Sequence, residues 1–125
     1  MTELDARAIL AELQRRMDAR DLDEVVELFT EDALLIGTAA YNTGPEAVRA
    51  YLARVLDQPG RIVWDYDRVD VFHRAPGELG VSGLGSVGFA DEAPADRDPF
   101  RLTVLAVETD AGWRLRMFHG SVPQA

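Results

Sequence analysis

A chain of 125 residues with an apolar fraction of 47% can build one compact domain with a real core, expected to span residues 1–125. Its 22 acidic residues against 13 basic ones give a formal net charge of −9, which disfavours nucleic acid and anionic membranes as partners, since both demand a basic surface. Cysteine is absent, so disulfides, thiolate nucleophiles and thiolate metal sites are excluded.

The opening stretch "MTELDARAILAELQRRMDARDLDE" is charged throughout and carries no uninterrupted apolar h-region, so it does not read as a secretory signal. No stretch approaches the roughly 20 apolar residues of a membrane span. A cytoplasmic protein is the expectation. In chain order, the first predicted helix is "TELDARAILAELQRRMDA", with Thr2 as its N-cap and Ile9, Leu10, Leu13 and Met17 along one face. A second, "DLDEVVELFTED", restarts at Asp21 as cap and buries Leu22, Val25, Val26, Leu28 and Phe29. "ALLIGTAAYN" then reads as a short strand and turn. "TGPEAVRAYLARVLDQPG" is the clearest helix, with Gly44 and Pro45 at its start, Val48, Tyr51, Leu52, Val55 and Leu56 at helical spacing, and Pro59-Gly60 at its end.

Beyond Gly60 the pattern changes to strands. "RIVWDYDRVDVFH" mixes β-branched and aromatic residues with charges, and "ELGVSGLGSVGFA" is glycine-rich, which implies strong curvature or close approach by another element. "PFRLTVLAVE" and "GWRLRMFHGSV" flank the turn "TDAG" as a hairpin. The acidic, proline-containing "DEAPADRDP" is expected to form a mobile hairpin tip. Helices followed by a run of strands predict an α+β domain, its sheet mostly antiparallel, curved, and packed over one face on the three helices.

Nucleophile motifs are missing: Ser82, Ser86 and Ser121 have no elbow signature around them. The glycine-rich strand is not followed by a helix and so is not a phosphate-binding turn. His73 and His119 lie far apart in sequence and neither belongs to a metal-binding pattern, so no metal and no other cofactor is expected. Most carboxylates read as solvated. Asp65, Asp67 and Asp70 sit within a strand, and one of Asp65 or Asp67 is expected to face inward, where desolvation would raise its pKa and make it a general-base candidate.

The last strand carries the sharpest candidate. Read with period two, Trp113, Leu115, Met117 and His119 share one face, while Arg114, Arg116 and Phe118 fall on the other. His119 is therefore either a core histidine hydrogen-bonded to a carbonyl or the polar anchor of an apolar cavity, placed to exchange a proton near neutral pH. Arg101, sharing a face with Thr103, either lies outside or meets an anion.

These residues carry a family resemblance. "DLDEVVELFTEDALLIG", "GPEAVRAYL" and the terminal "RLTVLAVETDAGWRLRMFHGSVP", with its tryptophan after the turn and its His119–Ser121 pair, resemble a SnoaL-like domain of the nuclear transport factor 2-like superfamily over nearly the whole chain. The resemblance implies a cystatin-like cone: a curved sheet wrapped around the helices, a pocket at the wide end, and dimers formed through the sheets. It also implies a cavity-facing His119. Ketosteroid isomerases, polyketide cyclases, scytalone dehydratase, limonene epoxide hydrolase and a calmodulin-dependent kinase association domain share that fold, so the fold underdetermines the activity. The chain departs from the isomerases where their general-base aspartate would stand, at Ile36, Gly37 and Thr38. It departs again near Leu13, in place of their oxyanion-donating tyrosine, and near Arg101, in place of their second acid.

Two readings follow. In one, an apolar conical pocket binds a small hydrophobic molecule and catalyses isomerisation, cyclisation or dehydration. His119 and, as a weaker candidate, Asp65 are then the acid–base groups, and Trp113, Met117, Trp64, Tyr41 and Arg101 contact the ligand. In the other, the protein is a non-catalytic dimerisation or ligand-binding module. A homodimer held through the face of Arg114, Arg116 and Phe118 is expected in either case.

Overall fold

The computed structural model describes residues 3–123, with side chains from residue 5 onward; the Thr2 cap lies outside the described residues. Helix α1 spans Glu3–Ala19 and α2 spans Leu22–Glu27. The strand β1 (Phe29–Ile36) and the short β2 (Tyr41–Thr43) precede α3 (Gly44–Leu56). Four long strands follow: β3 (Ile62–Ala75), β4 (Glu78–Phe89), β5 (Asp98–Thr109) and β6 (Gly112–Ser121), with a turn of 3-10 helix at Pro94–Asp96. They form one six-stranded sheet in the order β2-β1-β6-β5-β4-β3. Every pairing is antiparallel except that of β1 with β6. This is the α+β architecture expected from the sequence.

The second helix is shorter than its sequence pattern. Asp21 caps it, accepting from the backbone N–H groups of Asp23 and Glu24, but it stops at Glu27 and "FTED" is extended. Tertiary pairing overrides the helical pattern here: the Leu115 N–H donates to the Leu28 carbonyl at 2.7 Å, and Phe29 is paired with Leu115 across the sheet. The hairpin between β5 and β6 turns at "TDAG" as expected, with Gly112 at φ 111 and the Thr109 hydroxyl donating to the Gly112 carbonyl. In "DEAPADRDP", the Glu92 carboxylate accepts from the Phe89 N–H.

One face of the sheet packs on the helices. Leu35, Phe118, Val104, Val81 and Val71 form one inward row across five strands, and Gly120, Leu102, Gly83 and Val69 form the next. They meet Ala6, Ile9, Leu10, Leu13 and Met17 of α1 and Val48 and Leu52 of α3 in a single apolar cluster. In β3, Asp67 and Phe72 are extra residues relative to β4, so the inward set runs Trp64, Tyr66, then Val69 and Val71. At the first of these bulges the Asp65 carbonyl crowds the α-carbon of Gly85, and any side chain there would overlap it.

Polar side chains fix the helices to the sheet. The Gln14 amide donates to the Ile62 carbonyl at 2.8 Å and its oxygen accepts from the Trp64 N–H at 3.0 Å, so it takes the place of a neighbouring strand on the outer edge of β3. Arg20, in the left-handed region at φ 56, donates to the carbonyls of Leu56, Gln58 and Gly60 and holds the end of α3. The buried Arg16 donates to the Glu12 carboxylate, the Glu24 carbonyl and the Glu27 carboxylate. Glu27 also pairs with Arg114 of β6, so this network ties α1 and α2 to the sheet. Hydrogen bonds from Arg15 and Arg16 hold the Glu12 carboxyl down to about 2.

Candidate functional site

Between the helical layer and the sheet lies a cavity of about 230 Å³. Leu13 and Met17 of α1, and Tyr51, Leu52 and Val55 of α3, form its helical side. Phe29 and Leu35 of β1, Ile62 and Trp64 of β3, Val87, Phe100, Phe118 and Gly120 form its sheet side. Gly37 and Thr38, after β1, and Gln58, after α3, complete the lining. Thr38 and Gln58 are exposed and mark the mouth. Apolar side chains dominate, and the polar groups are few, which is the usual composition of a small-molecule site.

Its geometry depends on β6. Leu115 pairs with Ala106 and Met117 with Leu105, so Arg116 is an extra residue that β5 does not match. A bulge of this kind resets the alternation of side chains. Leu115 points inward, and three residues later so does Phe118, followed by Gly120. Met117, His119 and Ser121 fall on the outer face.

Several expectations about site residues are corrected by this register. His119 does not face the cavity. It is exposed on the outer face, between Ile36 of β1 and Thr103 of β5. Met117 lies on the same outer face, between Leu34 and Leu105, and is not a cavity wall. Phe118, expected on the outer face, is buried and lines the cavity; its ring lies 6.4 Å from that of Phe29. Trp113 faces the helices but borders a separate cleft beside Ile9 and Leu28. Arg114 also departs from the expected outer face: its side chain is only 12% exposed, bound to Glu27.

Outside β6, Tyr41 is 71% exposed on β2, away from the lining, because β2 is an edge strand whose buried member is Asn42. Arg101 is exposed between the buried Phe100 and Leu102, on the outer face. Neither Asp65 nor Asp67 points inward: both are exposed, since Trp64 and Tyr66 take the inward positions. Asp65 accepts from Arg97 at 2.7 Å and has no route to the cavity. Of the residues singled out in the sequence, Trp64 lines the cavity.

The sequence pattern did not single out Tyr51 as a site residue, because it belongs to the apolar stripe of α3. It is half-buried, and burial raises its phenol above the usual range, with the nearby Arg54 acting in the opposite direction. Arg54 lies over the ring, 5.8 Å from its centroid. A side chain at Gly37 would overlap the Tyr51 hydroxyl, and that hydroxyl has no hydrogen-bond partner among the described residues. The signal available in the sequence was the single phenol of that stripe, which apolar packing alone does not require. Among the described residues, the lining contains no carboxylate and no imidazole, and no cluster of side chains suited to a metal occurs.

Residues 6–125 match the SnoaL-like domain family; the chain belongs to this family. Its fold is that of solved NTF2-like proteins. One, of unknown function from Pseudomonas putida, is 18% identical with a TM-score of 0.81, covering 98% of this chain and 87% of that one. A candidate dehydratase of the NTF2-like family from Streptomyces avermitilis is 14% identical with a TM-score of 0.82, covering 96% and 94%. A candidate aromatic ring hydroxylase from Novosphingobium aromaticivorans is also 14% identical, with a TM-score of 0.81 and coverage of 98% and 90%. At such identities the likeness establishes the fold. No curated protein matches the chain in sequence. No helix among the described residues is long and apolar enough to cross a membrane.

The register of β6 makes a prediction that separates neighbouring residues. Phe118→Ala should cost about 3–5 kcal/mol of stability, the usual range for truncating a buried phenylalanine. His119→Ala should stay within about 0.5 kcal/mol of wild type, as exposed substitutions do. Urea unfolding of both variants, at concentrations where each is monomeric, checks the assignment; the opposite order of losses would contradict it.

Proposed function

We propose that this protein binds a compact hydrophobic small molecule in the cavity between its helices and its sheet, and that it does so as a binding protein rather than as an acid–base enzyme. The observation that carries the reading is the lining: a continuous apolar wall from α1, α3 and the sheet, closed on the sheet side by Phe100 and Phe118, with Tyr51 as its ionisable group. Proton-transfer catalysis needs a base within hydrogen-bond reach of the substrate, and His119 and Asp65 both stand outside. Size narrows the ligand. The cavity, about 230 Å³, exceeds the roughly 150 Å³ apolar cavity that accommodates benzene and falls short of the roughly 300–1,000 Å³ of drug-sized sites. A molecule of one or two fused rings fits this range.

The test uses tetralin as the probe. In a Trp113→Phe background, the remaining tryptophan, Trp64, lies in the cavity wall and reports occupancy by its fluorescence. Tetralin should change that emission saturably. Adding Val55→Phe, which projects a ring into the cavity, should weaken binding by about tenfold or more, roughly 1.4 kcal/mol, while leaving the far-UV circular dichroism unchanged. Equal binding by both proteins would place the probe elsewhere.

We also propose that two copies pair through the outer face of the sheet. The supporting observation is an apolar band across the central strands, in which Leu34, Met117 and Leu105 stand side by side. With a net charge of −9, self-association needs such a neutral surface, and this band replaces the Arg114–Arg116–Phe118 face expected from the sequence. Burial on the order of 1,600 Å² in total would hold the pair. Light scattering should report a dimer for wild type and a monomer for Met117→Glu; a monomeric wild type at tens of micromolar would refute the pairing.

A further inference from the structure

The polar end of the cavity restricts the ligand further. Resting on the reading of the cavity as a small-molecule site, we infer that its ligand is a compact cyclic hydrophobe carrying a hydrogen-bond acceptor such as a carbonyl oxygen, received by the Tyr51 hydroxyl, which is seated against Gly37. Three observations converge on this pair. Tyr51 belongs to the cavity wall, as does Gly37, against which its hydroxyl is seated. That hydroxyl has no partner among the described residues and is not closed off from solvent, so its O–H can be given to an acceptor that enters the cavity. Gly37 sets where the hydroxyl sits: the phenol oxygen occupies the space that a side chain there would fill, and even a methyl group would displace it.

The other polar members of the lining are less suited to this role. Thr38 and Gln58 are exposed and already hydrated. Trp64 stands in β3, on the sheet side. Within the lining, Tyr51 is thus a half-buried phenol among apolar neighbours, and burial raises its pKa further, so it keeps its proton at neutral pH. A phenol that stays protonated serves as a donor. A ligand whose polar atom is itself only a donor would gain less there, since it would offer its hydrogen to a weaker phenol acceptor. The ring system then lies along Leu13, Val55, Phe100 and Phe118, away from the polar end.

The inference separates two ligands of the same carbon skeleton, tetralin and 1-tetralone. Both should bind wild type. Tyr51→Phe removes only the hydroxyl, so it should weaken 1-tetralone by about tenfold while changing tetralin by less than about twofold. Gly37→Ala, which displaces the phenol, should repeat this selective loss. A direct reporter is the ¹³C shift of the labelled carbonyl carbon in bound 1-tetralone, which should lie downfield in wild type and move upfield in Tyr51→Phe as the hydrogen bond is lost. If both ligands bind wild type but Tyr51→Phe affects them equally, and the carbonyl shift does not move, the inference fails and the cavity reading stands. If neither ligand binds wild type, both fail.

Discussion

The cavity is built around an extra residue in β6. Strand side chains alternate strictly, so every inward position beyond Arg116 is set by whether that residue is matched across the sheet. It is not matched by β5, and the consequence spreads in two directions. Phe118 and Gly120 turn towards α1 and α3, giving the cavity an aromatic wall beside a position without a side chain. Met117 and His119 turn outward, where Met117 joins Leu34 and Leu105 in an apolar band. Were Arg116 matched, the ring of Phe118 would leave the interior and the imidazole of His119 would enter it. The site would then carry an acid–base group. As built, it carries a phenol.

A cavity of this kind persists only if its walls cannot close on it. The helical side is held by polar clamps rather than by apolar packing alone. Gln14 joins α1 to the backbone of β3 beside Ile62 and Trp64, two residues of the lining, and Arg20 ties the end of α3 to the turn that leads into β3. Arg16, with Glu12, Glu27 and Arg114, fixes α1 and α2 against β6 on the far side. The lining residues of both helices are therefore anchored at points outside the cavity. The guanidinium of Arg16 is buried but compensated by several carboxylates, those of Glu12, Glu24 and Glu27, which is what a charge at this depth requires.

Much of the architecture was legible in the sequence. The stripe of Ile9, Leu10, Leu13 and Met17 is buried as its spacing required, Asp21 caps α2, Gly44 and Pro45 open α3, and the turn at Gly112 joins β5 to β6. These features are local, and local chemistry determines them. What periodicity could not reveal was set across the sheet. The bulges at Asp67, Phe72 and Arg116 are defined by partner strands, so a strict period of two carried His119 inward and Phe118 outward. "FTED" follows a helical pattern, yet pairing beside β6 draws it into a strand. Tyr51 and Gly37 are 14 positions apart and became a site only when α3 folded back over the end of β1. The family resemblance supplied the fold, and it supplied the wrong expectation for His119 for the same reason: it carried a position in a motif but not the register of the strand bearing it.

The central claim is that the inward face of β6 begins anew after Arg116, and two methionines report on it directly. Met17 lines the cavity and Met117 lies on the opposite face of the sheet. In the ¹³C-methyl NMR spectrum of methionine-labelled protein, saturating tetralin should shift the Met17 resonance through the ring current of the probe and leave that of Met117 in place, each assigned by substitution to leucine. A large shift at Met117 with Met17 unmoved would contradict the account, because it would return the face of Met117 and His119 to the cavity.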